Sequence, residues 1–509
     1  MTPVWLLLFT IAGKLSALAK DIVFAGAFGA GLSADAYFIA NQLPGIIWLA
    51  VSGTIMSVFA PLYVRHMDDR AGANRFVNEA LRYYAYAALV LAALCWVGAD
   101  WLVTVSAPGA NAATHALAVE LTRIMTLGFI LTGYVGVQSA VQQSHRQFLP
   151  PVAVPVINNL LAILAIALAW YWRNVAIAVA GAVGAYVIQA AIQRLQTRKL
   201  YATRWGWRIS ADVWRRLTLL SGPVMLATIL DQINIMVGSA LASGFGTGAI
   251  AQLNYASRLA LFVAGVFSWL VSYMFFPALA GHAARGDDAA NAQVLTRSLA
   301  IVLVTTAPAV AGALAMREEV IALIYQRGAF SPEDVTATAA LFGLLGIGII
   351  FTALRELLNR VFFSYQRTAA PLAIGVIATC FNVGASLALA RVMGISGIAL
   401  GNALAAILFC AGQLAMLWWW KPQLLLPRLL SYALAVAAAA GAAYLATVSL
   451  CAALPSGMSS LPRLVVGSAV LAACYGPLLL LALRLAGIAP RDAIAELRGQ
   501  ALVVRDEGR

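Results

Sequence analysis

Residues 148–171 read FLPPVAVPVINNLLAILAIALAWY, a run without a single acidic or basic side chain. A helix needs about 20 apolar residues to cross the roughly 30 Å hydrocarbon core of a bilayer, and this run supplies them. A second run, 173–194, follows at once, and composition extends the reading to the whole chain. Of 509 residues 62% are hydrophobic and 10% charged, with a mean hydropathy of +0.87. Soluble domains average about 45–50% apolar and roughly 25% charged. An ordinary soluble enzyme, a disordered chain and a secreted disulfide scaffold are excluded. A transmembrane β-barrel is excluded too, because its strands alternate in polarity while these runs are solidly apolar. The sequence specifies an all-α polytopic membrane protein.

Apolar runs between Pro, Gly and charged breaks predict about fourteen transmembrane helices. They lie near 3–27, 35–63, 77–103, 116–143, 148–171, 173–194, 215–242, 248–279, 295–316, 334–363, 368–392, 395–420, 428–451 and 462–486. The first resembles a signal peptide at Ala17-Leu18-Ala19, but no positive region precedes it and Lys14 interrupts it, so it reads as an uncleaved helix. Lys and Arg mark the cytoplasmic side. With a cytoplasmic N-terminus, the even-numbered connections and the C-terminus hold 22 of the 33 basic residues, and the outer connections hold five. The 194–216 loop alone has seven: Arg194, Arg198, Lys199, Arg204, Arg208, Arg215 and Arg216. Both termini are therefore placed in the cytoplasm, and the net charge of +13 is chiefly this bias rather than a nucleic-acid surface.

Other chemistry is not signalled. The five cysteines sit in apolar stretches without a C-x-x-C, and the four histidines make no ligand pattern. No Walker-type phosphate loop occurs, so no ATPase domain is read.

The chain also echoes itself. Phe28-Gly29-Ala30-Gly31 recurs as Phe245-Gly246-Thr247-Gly248, and Phe59-Ala60-Pro61 as Phe275-Phe276-Pro277. Asp68-Asp69 recurs as Asp287-Asp288, and Ser144-His145-Arg146 as Tyr365-Gln366-Arg367. The offset, which stays between 216 and 221 residues, implies two six-helix lobes, 1–200 and 201–421. The remainder, 422–509, holds two extra helices and a cytoplasmic tail. Six is even, so the lobes have parallel topology, a pseudo-two-fold along the membrane normal and a site between them.

Ionisable residues deep in a span are costly and mark function unless paired. Lys14 lies about 16 Å along the first helix and Arg258 roughly 15 Å into the eighth, too deep for easy snorkelling. Both read as functional. Lys20 is balanced by its neighbour Asp21. Asp35 opens the second helix and Asp231 lies within the seventh. Glu120 and Arg123, three apart, are expected to pair on their own helix, and Arg355 near the inner face is read as structural. Two cationic groups at similar depth in the two lobes predict an anionic substrate, for which phosphate or pyrophosphate is apt. Asn41-Gln42, Gln232-Ile233-Asn234 and Gln252-Leu253-Asn254 offer neutral donors for a sugar, or interhelical hydrogen bonds.

Several stretches, in order, resemble the MurJ/MviN lipid II flippases of the MOP exporter superfamily, with this chain as a divergent member. They are Lys20-Asp21, Phe28–Gly31, Asp35-Ala36-Tyr37-Phe38, Leu43-Pro44, Ser106-Ala107-Pro108-Gly109, Tyr255-Ala256-Ser257-Arg258, Tyr325-Gln326-Arg327-Gly328-Ala329-Phe330, and Phe362-Phe363 through Pro371. The resemblance implies fourteen helices and translocation of an undecaprenyl-pyrophosphate-linked peptidoglycan precursor across the bacterial inner membrane. It implies substrate-binding roles for Lys14, Lys20, Asp35 and Arg258. It also implies a sodium site near Asp231, Asn382, Ser386 and Asn402, for which helix packing is the competing reading.

The chain departs from the family at an arginine pair of the second helix, where it has Trp48 and Leu49, and at the acidic residue before the eighth-helix arginine, where it has Ser257. Lys keeps a charge but lacks the guanidinium fork. A related lipid-linked glycan, such as an exopolysaccharide or O-antigen unit, is therefore an alternative cargo. A cation or drug antiporter of the same superfamily would want acidic groups, for which only Asp35 and Asp231 speak. A membrane glycosyltransferase would want catalytic carboxylates on a sizeable outer loop. The longest, 317–333, has Glu318, Glu319 and Glu333, and the chain is read as a transporter rather than an enzyme.

Overall fold

A computed structural model describes residues 3–204, 206–425, 427–455 and 458–485. Among them every regular element is helical. The elements are α1 (Pro3–Phe28), α2 (Leu32–Thr54), a π-helical turn (Ile55–Phe59), α3 (Ala60–Val64), α4 (Arg70–Val97), α5 (Ala99–Ser106), α6 (Ala112–Thr126), α7 (Phe129–Ser144), α8 (Leu149–Tyr171) and α9 (Val175–Thr197). There follow α10 (Ala211–Ala242), α11 (Ala249–Arg285), α12 (Asp288–Ala315), α13 (Arg317–Tyr325), α14 (Pro332–Ser364), α15 (Ala369–Met393), α16 (Ile395–Trp420), α17 (Arg428–Ala453) and α18 (Ser460–Leu485).

By length and composition, ten described helices can cross a membrane, or eleven counting one bent pair, rather than the fourteen expected. The other three expected spans correspond to α1, α10 and α11, of 26, 32 and 37 residues. These three carry Lys14, Lys20, Asp231 and Arg258. Two expected spans are not single rods. The run 77–103 is α4 and α5, parted at Gly98. The run 116–143 is α6 and α7, bent by 42°. At that bend Leu127 N–H reaches Ile124 and Gly128 N–H reaches Met125, a slip to i→i−3 bonding that lets the axis turn.

One residue of each acidic doublet is a cap. Asp69 accepts from Ala71 N–H at 3.0 Å to start α4, and Asp287 from Ala290 N–H at 3.0 Å to start α12. The echoed Phe-Gly pairs end helical segments: Gly29, with φ +61°, follows α1, and Gly246, with φ +96° and ψ 177°, follows a 3-10 turn at Ser243–Phe245, both backbone conformations that glycine takes without strain.

The described chain forms two compact units. One runs to Asn254 and includes Tyr325–Asp334; the other comprises Tyr255–Ile324 and Val335 onward. In the first, an aromatic core joins the ends of α3, α4 and α7 to the 198–217 connection through Phe59, Tyr63, Phe76, Tyr83, Tyr84, Tyr201 and Leu217. That connection is strapped down by α4: Arg82 donates to the carbonyls of Arg204 and Arg208, and Asn78 to that of Ala202. In the second, α12, α17 and α18 share a core around Tyr432, Val436, Ala439 and Tyr475, whose hydroxyl donates to the Val304 carbonyl at 3.0 Å. Lipid offers no hydrophobic drive between helices, so close approach of small residues supplies the attraction. A Cβ on Gly397 of α16 would meet the Leu389 carbonyl group of α15 at 2.3 Å.

Candidate substrate-binding site

Lys14 sits on α1, half-buried. Its helix is pinned to α8 by neighbouring residues: Asn159 donates to the Gly13 carbonyl at 3.3 Å and to Ser16 Oγ at 3.0 Å. Among the described residues no carboxylate lies within ion-pair distance of Lys14. Its ammonium thus has no counter-ion among the described residues. One and a half turns on, Lys20 meets Asp21 at 3.7 Å, both mostly covered. Lys20 is therefore already partly neutralised, as its sequence neighbour implied.

Asp35 is placed differently from the three cations. It is 2% exposed, and both carboxylate oxygens are taken by backbone: Oδ2 by Gly248 N–H at 2.5 Å and Oδ1 by Ala251 N–H at 2.7 Å. These N–H groups belong to the residue just before α11 and to its first turn, and the positive dipole end of that helix favours an anion. Around this tie the chain approaches itself at backbone distance. Ala329 N–H donates to the Gly26 carbonyl at 2.8 Å, and Gln252 donates to Asp334 at 3.3 Å. Gly109 N–H donates to Ser243 Oγ at 2.8 Å, and Asn111 to Thr247 at 2.9 Å. The FGAG/FGTG echo, Ser106–Gly109 and the Tyr325–Phe330 stretch all fall in this one seam.

Arg258 lies on α11 in the second unit, half-buried and engaged with neighbouring groups. The polar stretches divide. Asn254 turns back to the Ile250 carbonyl, a helical self-contact. Gln42 donates to Ser239 at 3.4 Å, and its buried carbonyl oxygen has no protein partner among the described residues. Leu49 is 41% exposed, while the side chain of Trp48 lies outside the described residues.

Sequence reasoning passes over Arg297 and Arg360 and treats Arg355 as structural. In the second unit all three guanidinium groups lie over phenylalanine rings, at 5.5 Å from Phe275, 5.7 Å from Phe276 and 4.9 Å from Phe409 respectively for Arg297, Arg360 and Arg355. A signal exists in the sequence: Arg297, Arg355 and Arg360 fall within predicted spans, Arg360 four residues from Glu356, with which it pairs at 3.2 Å.

Of the sodium-site residues, Asn382, Ser386 and Asn402 do come together on α15 and α16. Asn382 Nδ2 donates to Asn402 Oδ1 at 2.7 Å, and Ser386 Oγ to Asn382 Oδ1 at 3.0 Å. The side chain of Asp231 lies outside the described residues. The three neutral groups satisfy one another, as helix packing requires; an ion would have to displace the Asn382–Asn402 bond. No group of three or more His, Cys, Asp or Glu side chains is disposed to hold a metal among the described residues.

The family profile "Lipid II flippase MurJ" matches residues 24–474. A probable lipid II flippase MurJ of Rhizobium meliloti (strain 1021) is 29% identical over 459 residues, covering 86% of this chain and 84% of that protein. One from Rhizobium tropici is 27% identical over 408 residues, covering 78% and 76%. Among solved structures, a lipid II flippase MurJ in an inward closed conformation superposes with a TM-score of 0.79 at 19% identity, covering 94% of this chain and 99% of that one. A multidrug resistance MATE family transporter of the MOP superfamily, inward-facing, gives 0.68 and covers 83% and 98%. The multi-pass helical fold, the profile spanning most of the sequence and the curated relatives agree: the chain belongs to the MurJ lipid II flippase family.

Proposed function

We propose that this protein translocates an undecaprenyl-pyrophosphate-linked glycan, lipid II in the first instance, across the bacterial inner membrane by alternating access. The observation that carries the reading is the family match over residues 24–474. The site chemistry supports it. Lys14 is a half-buried cation with no carboxylate at ion-pair distance among the described residues, and a diphosphate is the natural counter-charge for Lys and Arg. In this reading Lys14, Lys20 and Arg258 supply the positive charge that meets the pyrophosphate while the polyprenyl tail stays in lipid. Asp35, with both oxygens bonded at the start of α11, positions the first turn of that helix rather than gripping the anion. Both termini lie in the cytoplasm, and the driving force is the membrane potential or an ion gradient. A sodium ion at Asn382, Ser386 and Asn402 would need those groups to rearrange, so no step is routed through it.

Trp48 and Leu49, standing where the family has an arginine pair, favour one second reading: a related lipid-linked oligosaccharide as cargo. Depleting a host's essential lipid II flippase while supplying this chain decides between them. Growth rescue is expected for lipid II. Lysis despite confirmed membrane insertion would contradict lipid II and leave the related glycan.

A further inference from the structure

The face of α6 carries a pair of charges that the transport reading does not use. Ala116, Glu120, Arg123 and Leu127 recur at steps of four, three and four residues, so they form one stripe. All four are exposed. With Trp96 of α4, which is 49% exposed, they line a notch of about 310 Å³, at the small end of ligand pockets. The pairing expected between Glu120 and Arg123 does not form. Arg123 instead lies over the Trp96 ring, its Cζ 5.3 Å from the centroid. This holds the guanidinium in place at the wall of the notch. Among the described residues no cation lies within ion-pair distance of the Glu120 carboxylate. Val119, Ile124 and Leu127 complete the walls. The notch thus presents an anchored cation and, among the described residues, an unneutralised carboxylate, one helical turn apart, on an exposed face of the chain.

We infer that this notch is a headgroup site for a zwitterionic phospholipid bearing a primary amine, of the phosphatidylethanolamine kind. The guanidinium takes the phosphate in a forked contact, and the carboxylate accepts from the ammonium. A phosphate joined to an ammonium through two carbons separates its charges by about one helical turn. Charge complementarity excludes the other common headgroups. A purely anionic lipid offers Glu120 no cation, and a quaternary amine has no N–H to donate. The vertical order of the two charges fixes the leaflet, and here the inference rests on the proposed topology, with the 107–111 connection outside. Counting from Ala112, Glu120 lies about 12 Å and Arg123 about 17 Å along the helix. Arg123 is thus the deeper of the two, where the phosphate of an outer-leaflet lipid sits beneath its ammonium. Trp96 marks the interface level, where tryptophan is enriched. An inner-leaflet lipid would present the reverse order. The lipid would brace α6 against α4 one turn before the bend at Leu127–Gly128.

The test is native mass spectrometry of the purified full chain titrated with dioleoyl phosphatidylethanolamine, phosphatidylcholine or phosphatidylglycerol. The wild type should bind the ethanolamine lipid about tenfold more tightly than either other. Glu120→Gln should remove that preference while leaving the glycerol lipid unweakened, and Arg123→Gln should weaken all three. Glu120→Lys should reverse the preference toward the glycerol lipid. All three changes lie on an exposed face, and an unchanged melting curve verifies the fold. Equal wild-type affinities, or ethanolamine binding indifferent to Glu120→Gln, would overturn the assignment. So would a dimer that Glu120→Gln dissolves, which would give the notch to a second copy. A separate arm tests the leaflet: a thiol at Ala113→Cys should react with an impermeant reagent from outside. Reaction only from the cytoplasmic side would overturn the leaflet and the topology beneath it, and the titration result would stand apart.

Discussion

At Asp35 the carboxylate collects two backbone N–H groups at the start of α11, a use that its own neighbourhood in sequence does not announce. The partners lie more than two hundred residues away, and an acidic residue at the head of a helix is equally at home as a cap or a ligand. Asp35→Asn keeps one acceptor and turns an amide N–H toward a backbone N–H. We expect it to lower the thermal midpoint by an amount equivalent to about 1–3 kcal/mol, measured by melting in detergent; an unchanged midpoint would contradict the tie. Depth along a helix, by contrast, is plain arithmetic, so Lys14 and Arg258 are conspicuous from the sequence alone. The fate of Glu120 and Arg123 is not, because Trp96, 27 residues from Arg123 in sequence, competes for the guanidinium. His145 offers a pH-dependent test. It meets the Tyr63 hydroxyl at 2.9 Å, and burial holds its imidazole below the ordinary value of 6.5. Below about pH 6.5 the unfolded chain therefore takes up a proton that the native chain resists, and stability present above that pH is lost as pH falls. Melting curves at pH 7.5 and 5.5 should show this loss, and His145→Gln should reduce it.

Helices are legible wherever apolar runs go unbroken, as in α8, α9 and α14–α18. The breaks are less so. Gly98 and Gly128 look like the glycines that helices tolerate, and the π-turn at Ile55–Phe59 has no sequence signature. The seam around α11 depends on glycine where backbone meets backbone, at Gly29 and Gly248 as well as at Gly109 and Gly328. A Cβ on Gly29, whose φ is +61°, would lie 2.4 Å from the Ala329 carbonyl oxygen. One on Gly248, φ +93°, would lie 2.2 Å from that of Ala30. Alanine at either position has to move the opposing stretch of chain and adopt a left-handed backbone that costs roughly 1–2 kcal/mol by itself. Both variants should melt earlier than Gly31→Ala, where an added Cβ meets nothing within 4 Å. Equal melting of all three would show that the seam is not closed in solution.

For the whole molecule, composition alone dictates a polytopic helical membrane protein, and the ordered motifs point to the family that the profile match identifies. The number of spans is harder to read. Charged helices such as α1 and α11 satisfy the length rule while carrying the groups proposed to meet substrate. The sharpest measurement is the appearance of the lipid-linked precursor's headgroup at the outer face of cells in which this chain is the sole flippase. It is followed by an impermeant enzyme or reagent for wild type, Lys14→Ala, Lys14→Arg and Arg258→Ala at matched membrane levels. The account predicts outer-face signal for wild type, partial signal for Lys14→Arg, and loss to background for the two alanine variants. Full signal from either alanine variant would contradict it.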